Sequence, residues 1–198
     1  MLATIRSATL AGLEAVPVSV EVDVGPGLPT FTIVGLPDAA VQEARERVRA
    51  AIRNSGYEMP PRRIVVNLAP ADRRKEGPAL DLPIALGVLV ATGQLPARTV
   101  DGYLALGELA LDGALRPVPG VLSVAETARR TRARGLLAPA ASAGEAAVVE
   151  EVRVYALDSL RAVVDHLIGV RPVPPAPPPV CATGRQASSL DLADVRGQ

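Results

Sequence analysis

Aromatic side chains are nearly absent from this chain, with Phe31, Tyr57, Tyr103 and Tyr155 as the whole inventory and no tryptophan. A core without rings has to be aliphatic, and 48% hydrophobic content over 198 residues is enough for one domain of ordinary size. The same lack removes the stacking platforms usual for sequence-tolerant binding of single-stranded nucleic acid. Lysine, histidine and cysteine occur once each, as Lys75, His166 and Cys181. A Walker A loop ends in Gly-Lys-Ser or Gly-Lys-Thr, whereas Lys75 stands between Arg74 and Glu76, so the chain has no P-loop. A zinc site built from His and Cys has only two candidates, and one of them, Cys181, lies in a proline-rich tail. A Ser-His-Asp or Cys-His arrangement has to recruit His166, which the apolar run Val163 to Ile168 marks as a helix-surface or core-edge residue. The lone cysteine excludes an internal disulfide and suits a reducing compartment. A formal net charge of zero gives no general pull toward nucleic acid or anionic lipid, so any such contact rests on local clusters. The start has no signal-peptide pattern and no apolar run reaches spanning length, because Leu82 to Thr92 is short and contains Pro83. The expected location is the cytoplasm, with no membrane partner.

What is present reads as an α/β domain, strand-rich in its first half. Ala3 to Leu10 and Val16 to Val24 alternate, with Val18, Val20, Val22 and Val24 on one face and Ser19, Glu21 and Asp23 on the other, which predicts a hairpin. Gly25-Pro26-Gly27 is a turn without the following helix that a phosphate loop needs, and Thr30 to Val34 resumes as strand. The early strands are expected to be antiparallel. From Pro37-Asp38 the period becomes helical, with Val41, Ala44, Val48, Ala51 and Ile52 inward and Asn54-Ser55-Gly56 as the stop. A buried strand follows at Arg63 to Leu68, then a loop from Ala69 to Pro78 and an apolar helix to about Gly93. Tyr103 to Leu111 reads as one strand, turned by Asp112-Gly113 into Ala114 to Val118. Helix Val121 to Arg134, strand Leu136-Leu137, a short helix near Glu145, strand Val152 to Tyr155 and helix Ser159 to Ile168 alternate as in α/β units. The domain is expected to span residues 1–169. Residues 170–180 are a proline-rich linker, and 181–198 are a tail too polar to bury a core alone.

Three segments carry a family resemblance: Gly35-Leu36-Pro37-Asp38, Asn67-Leu68-Ala69-Pro70-Ala71-Asp72, and Lys75-Glu76-Gly77-Pro78-Ala79-Leu80-Asp81-Leu82-Pro83-Ile84-Ala85-Leu86. In this order they resemble the amino-terminal, ChlI-type domain of the ComM/YifB family of magnesium-chelatase-like AAA ATPases, and Asp194 to Gln198 is similar to the stretch that precedes the ATPase module there. More distantly, Gly77-Pro78-Ala79 and Gly107-Glu108-Leu109 resemble the proteolytic domain of Lon. The resemblance implies the Lon-like fold, shared with ribosomal-protein-S-five domain 2 and the RadA carboxy-terminal domain. It also implies a degenerate site: the serine of Lon falls on Ala79 and its lysine near Val124. Alanine offers no nucleophile, so a residual Lon-type peptidase is the less favoured alternative and no catalytic residue is expected; no cofactor or metal is expected in this chain either. Asp81 and Glu108 are expected as cap and strand-end groups. ATP and Mg belong to the ATPase module that the family carries downstream. The implied partner is the protein itself, as a ring and a hexamer in the full-length form. The implied activity of the whole protein is DNA branch migration in natural transformation.

An alternative rests on charge. Arg62-Arg63, Arg73-Arg74-Lys75 and the first helix's Arg45, Arg49 and Arg53 are candidate contacts to a DNA backbone. On that helix the competing reading is internal pairing with Asp38, Glu43 and Glu46. Arg129, Arg130, Arg132 and Arg134 are explained as cations at a helix carboxyl end.

Overall fold

Alternation in the first residues becomes a long antiparallel hairpin of β1 (Leu2–Ala11) and β2 (Glu14–Gly25). The computed structural model describes residues 1–179 of the chain; the expected tail 181–198, with Cys181, lies outside them. β3 (Thr30–Val34) leads through α1 (Ala39–Asn54) to β4 (Arg63–Ala69), and β3 pairs with β4 in parallel. Because α1 carries the chain back across the sheet, the early strands are not all antiparallel as expected. A single 3-10 turn (Pro78–Leu80) opens α2 (Asp81–Ala91), followed by the short α3 (Ala97–Val100).

The strand expected over Tyr103 to Leu111 is two strands in different sheets. β5 (Tyr103–Ala105) joins the main sheet, while β6 (Glu108–Leu109) pairs with β7 (Leu115–Arg116) across the Asp112-Gly113 turn. Gly107, at φ +156°, makes the break, in a backbone region that other residues rarely enter. α4 (Val121–Arg130) ends earlier than its pattern suggested, and Arg132 reverses the chain at φ +49°. β8 (Gly135–Pro139), α5 (Ala140–Ala146), β9 (Val154–Leu157) and α6 (Leu160–Leu167) complete the domain. The main sheet has seven strands in the order β3-β4-β2-β1-β5-β8-β9. It is antiparallel at its centre and parallel toward both edges. This is a mixed α/β fold with a strand-rich first half and alternating second half, in keeping with a Lon- and ChlI-like domain.

Two aliphatic cores lie on the two faces. One joins Val18, Val20 and Val22 of β2, Ile64, Val66 and Leu68 of β4, most of α2 and the inner faces of α1 and α6. The other joins Leu104, Leu136 and Val154 to Val121, Val124 and Ala128 of α4 and to α5. α2 has no polar face because it is covered on all sides, and every one of its residues is buried. Its approach to β2 needs Gly87, where a Cβ would run into the Val22 side chain. α1 is amphipathic and starts cleanly, since the Asp38 carboxylate accepts the Val41 N–H at 2.8 Å.

Candidate functional site

The three motif segments meet at one end of the sheet. The loop from Gly35 to Asp38 and the loop from Pro70 to Gly77 are stitched together by two backbone bonds: the Lys75 N–H donates to Leu36 O at 3.1 Å, and the Asp38 N–H donates to Lys75 O at 3.0 Å. Asp38 adds a side-chain link, its second carboxylate oxygen accepting the Gly77 N–H at 3.0 Å. Gly35 fits only without a side chain, because at φ +99° a Cβ would overlap the Leu68 carbonyl.

Lys75 is 0% exposed. Its ammonium turns back on its own loop and donates to the carbonyl of Pro70 and, at 2.7 Å, to that of Arg73. Burial pushes its pKa below the ordinary lysine value, with the Asp72 charge opposing the shift. The burial separates Lys75 from its neighbours in the candidate DNA-contact set, for Arg73 and Arg74 are exposed while its own charge is spent inside the loop.

Asp81 is also 0% exposed, and it is not the helix cap that the sequence suggested. Its two oxygens accept from Arg47 Nε at 2.7 Å and Nη2 at 3.0 Å, and one also accepts the Leu109 N–H at 3.1 Å. Burial pushes the carboxyl up from its ordinary value, against the Arg47 guanidinium and the Leu109 N–H; the bond to Asp81 in turn raises Arg47. The pair ties α1, α2 and β6 to one another. Sequence reading missed Arg47, whose only signal was an arginine on α1 between the exposed stripe and the buried face. Glu108 is half-buried on β6 and faces Arg116 of β7 at 3.5 Å, a strand-end pair as expected.

Beside these anchors lies the place where the resemblance put a degenerate nucleophile and base. Ala79 and Val124 line the same crevice, together with Thr9, Leu10, Glu76 and Leu106. Its volume is about 40 Å³, room for a single water and not for a peptide. Leu10 closes one side and packs so tightly that Gly120, which opens α4, has no room for a Cβ. Of the polar lining, Glu76 lies 3.8 Å from Arg74, and Thr9 is buried.

The arginine clusters are not gathered into one patch. Arg62 and Arg63 stand at the start of β4 and Arg73 and Arg74 beyond its end, and a strand of 7 residues at about 3.3 Å each separates them by roughly 23 Å. On α1 the expected internal pairing is mostly missing. Glu43 faces Arg47 at 3.6 Å, Asp38 is the cap, and of Arg45, Arg49 and Arg53 only Arg45 meets an acid among the described residues, Glu46 at 3.8 Å. Among the described residues, Arg49, Arg53, Arg62, Arg63 and Arg73 have no carboxylate within 4.0 Å. The second cluster is structural. Arg129 bonds Glu126 at 2.7 Å, Arg130 reaches the Ala15 carbonyl at 3.2 Å, and Arg134 lies 4.9 Å over the Tyr103 ring. The last of these is beyond the end of α4, so the expected helix-end role does not extend to it.

His166, on α6, is set against the rings of Tyr155 and Tyr103, at the core edge. Among the described residues no group of three His, Cys, Asp or Glu side chains is placed to hold a metal ion, and no helix is long and apolar enough to cross a membrane.

The family described as subunit ChlI of Mg-chelatase matches residues 20–142. The uncharacterized protein YifB of Escherichia coli is 44% identical over 197 residues, which cover 100% of this chain and 38% of that one. Competence protein ComM of Haemophilus influenzae is 40% identical over 200 residues, covering 100% of this chain and 39% of its own. This chain thus spans about two fifths of the length of these relatives. It belongs to the family of subunit ChlI of Mg-chelatase, as a ChlI-like domain of the ComM and YifB type.

Proposed function

We propose that this domain is a non-catalytic assembly and regulatory domain that packs with copies of itself in a ring beside an AAA ATPase module. In the whole protein that module binds ATP and Mg, and the hexamer acts as a DNA motor in branch migration during natural transformation. The observation that carries the non-catalytic reading is the meeting of Ala79 and Val124 in a crevice of about 40 Å³. Peptide hydrolysis of the Lon kind needs a hydroxyl and an amine there, and the one lysine of the chain is buried in another loop. Self-packing draws support from apolar surface. Leu13 at the hairpin tip is 94% exposed and shares a groove with Leu122 of α4. The name of the Haemophilus relative, a competence protein, supports the DNA-related role of the whole.

A second reading has its own support: Arg49, Arg62, Arg63, Arg73 and the partly paired Arg45 and Arg74 contact the DNA backbone, with Lys75 shaping the loop that presents two of them. Light scattering of the chain, with and without single- and double-stranded DNA over a salt series, tests both readings. A DNA-independent oligomer that dissociates on Leu13→Asp supports assembly, and a monomer at all concentrations overturns self-packing by this domain alone. Binding that weakens with salt supports the arginine reading, because each neutralised phosphate releases counterions, and salt-insensitive binding overturns it.

A further inference from the structure

Between residues 172 and 179 six of eight positions are proline, so only Val173 and Ala176 own a backbone N–H. Both are used to fasten the segment to the domain. The Ala176 N–H donates to the Val154 carbonyl at 2.7 Å, on the outermost strand β9. The Val173 N–H donates to Nδ1 of His166 at 3.0 Å. The side chain of Val173 packs on one core and that of Ala176 on the other. Just upstream, the N–H groups of Val170 and Arg171 both reach the Asp165 carbonyl, at 2.9 and 3.1 Å, which turns the chain from α6 onto this path.

The acceptor at the centre of this arrangement is the only histidine of the protein. Nδ1 accepts a bond only while it carries no proton, so the contact requires the neutral ring with its hydrogen on Nε2. We propose that residues 172–176 form a strap along the β9 edge and that His166 is its proton-sensitive latch. Protonation places a hydrogen on Nδ1 against the Val173 N–H, donor facing donor, and frees the upstream end of the strap while the Ala176 end stays paired.

The surroundings favour the closed form near neutral pH. The imidazole lies 4.4 Å from the Tyr155 ring of β9 and 6.3 Å from the Tyr103 ring of β5. Burial, and then the Arg134 charge from the turn before β8, push its pKa below the ordinary value. Asp165 precedes it on α6 and Arg171 stands just before the strap, so charges of both signs neighbour it in sequence. With the folded value depressed, the stabilisation is complete above the unfolded pKa of about 6.5 and disappears as pH falls through the lower folded value.

The test uses the whole chain and two observables: imidazole nitrogen resonances, and the hydrogen-exchange protection of the Val173 amide, each followed from about pH 7.5 to about pH 5 across the ordinary histidine range. The expected result is an unprotonated Nδ1 at the upper end. Val173 protection should fall about tenfold as the ring titrates, the scale of one lost hydrogen bond, while the Val66 amide in the sheet stays protected. His166→Asn supplies an amide oxygen that accepts without titrating, and its Val173 protection should not depend on pH. Protection that survives full titration of the ring overturns the latch, and so does an equal pH-dependent loss in H166N.

Discussion

Two neighbouring parts of one loop system differ in what occupies them. Around Lys75 and Asp81 buried charge is abundant and each group is satisfied: an ammonium on two carbonyls, and a carboxylate on a guanidinium and a backbone N–H. A few residues away, the crevice has Ala79 and Val124 at the two positions where the Lon resemblance places a nucleophile and a base. The difference teaches that the buried charges here are committed to holding loops and helices in register, while the two positions singled out by the Lon resemblance carry aliphatic side chains.

The largest effect should come from the anchors. Asp81→Ala leaves the Arg47 guanidinium, 19% exposed, without its partner and the Leu109 N–H without an acceptor. Loss of one member of a buried ion pair costs about 3–5 kcal/mol, so a large drop in the urea midpoint is expected. A change below about 1 kcal/mol would mean that the pair is not an anchor. Lys75→Met keeps the aliphatic stem and removes the donors, and should cost about 1–2 kcal/mol because Pro70 and Arg73, both at exposed positions, can turn their carbonyls to water. A related readout is chemical. An amine-acylating reagent should modify the amino terminus and spare Lys75 until the chain unfolds, and early labelling of Lys75 would contradict its burial.

In the crevice the effects should be small. Ala79→Ser adds one hydroxyl to a space large enough for a water, so stability should change by less than about 1 kcal/mol and no peptidase activity should appear. Hydrolysis of a casein substrate by A79S would break the contrast between the two regions. At the exposed end of the scale, Arg73→Ala with Arg74→Ala should alter stability by no more than about 0.5 kcal/mol. If the arginines meet DNA, the same pair should lower the salt slope of binding by about two, one for each lost phosphate contact.

Much of the scaffold was legible in one dimension because it follows from local periods. The alternating valines of β2 specified the buried face of the hairpin, and Asp38 announced the start of α1. Those features need only neighbours within a turn or a strand. What the sequence could not reveal was pairing between distant positions. Arg47 went unassigned because its partner Asp81 lies 34 residues away in sequence on α2, and the one lysine looked like a phosphate contact until its loop closed over it. Tyr103 to Leu111 alternated well enough to be one strand, and only the bend at Gly107 divided it between two sheets. The sequence by itself determined the class of fold and the aliphatic core, because composition and local period suffice for those, while the Lon-type positions were placed by resemblance. Tertiary structure alone decided which charges are buried and that Ala79 and Val124 line one crevice, because long-range packing sets the desolvation and the proximity on which both depend.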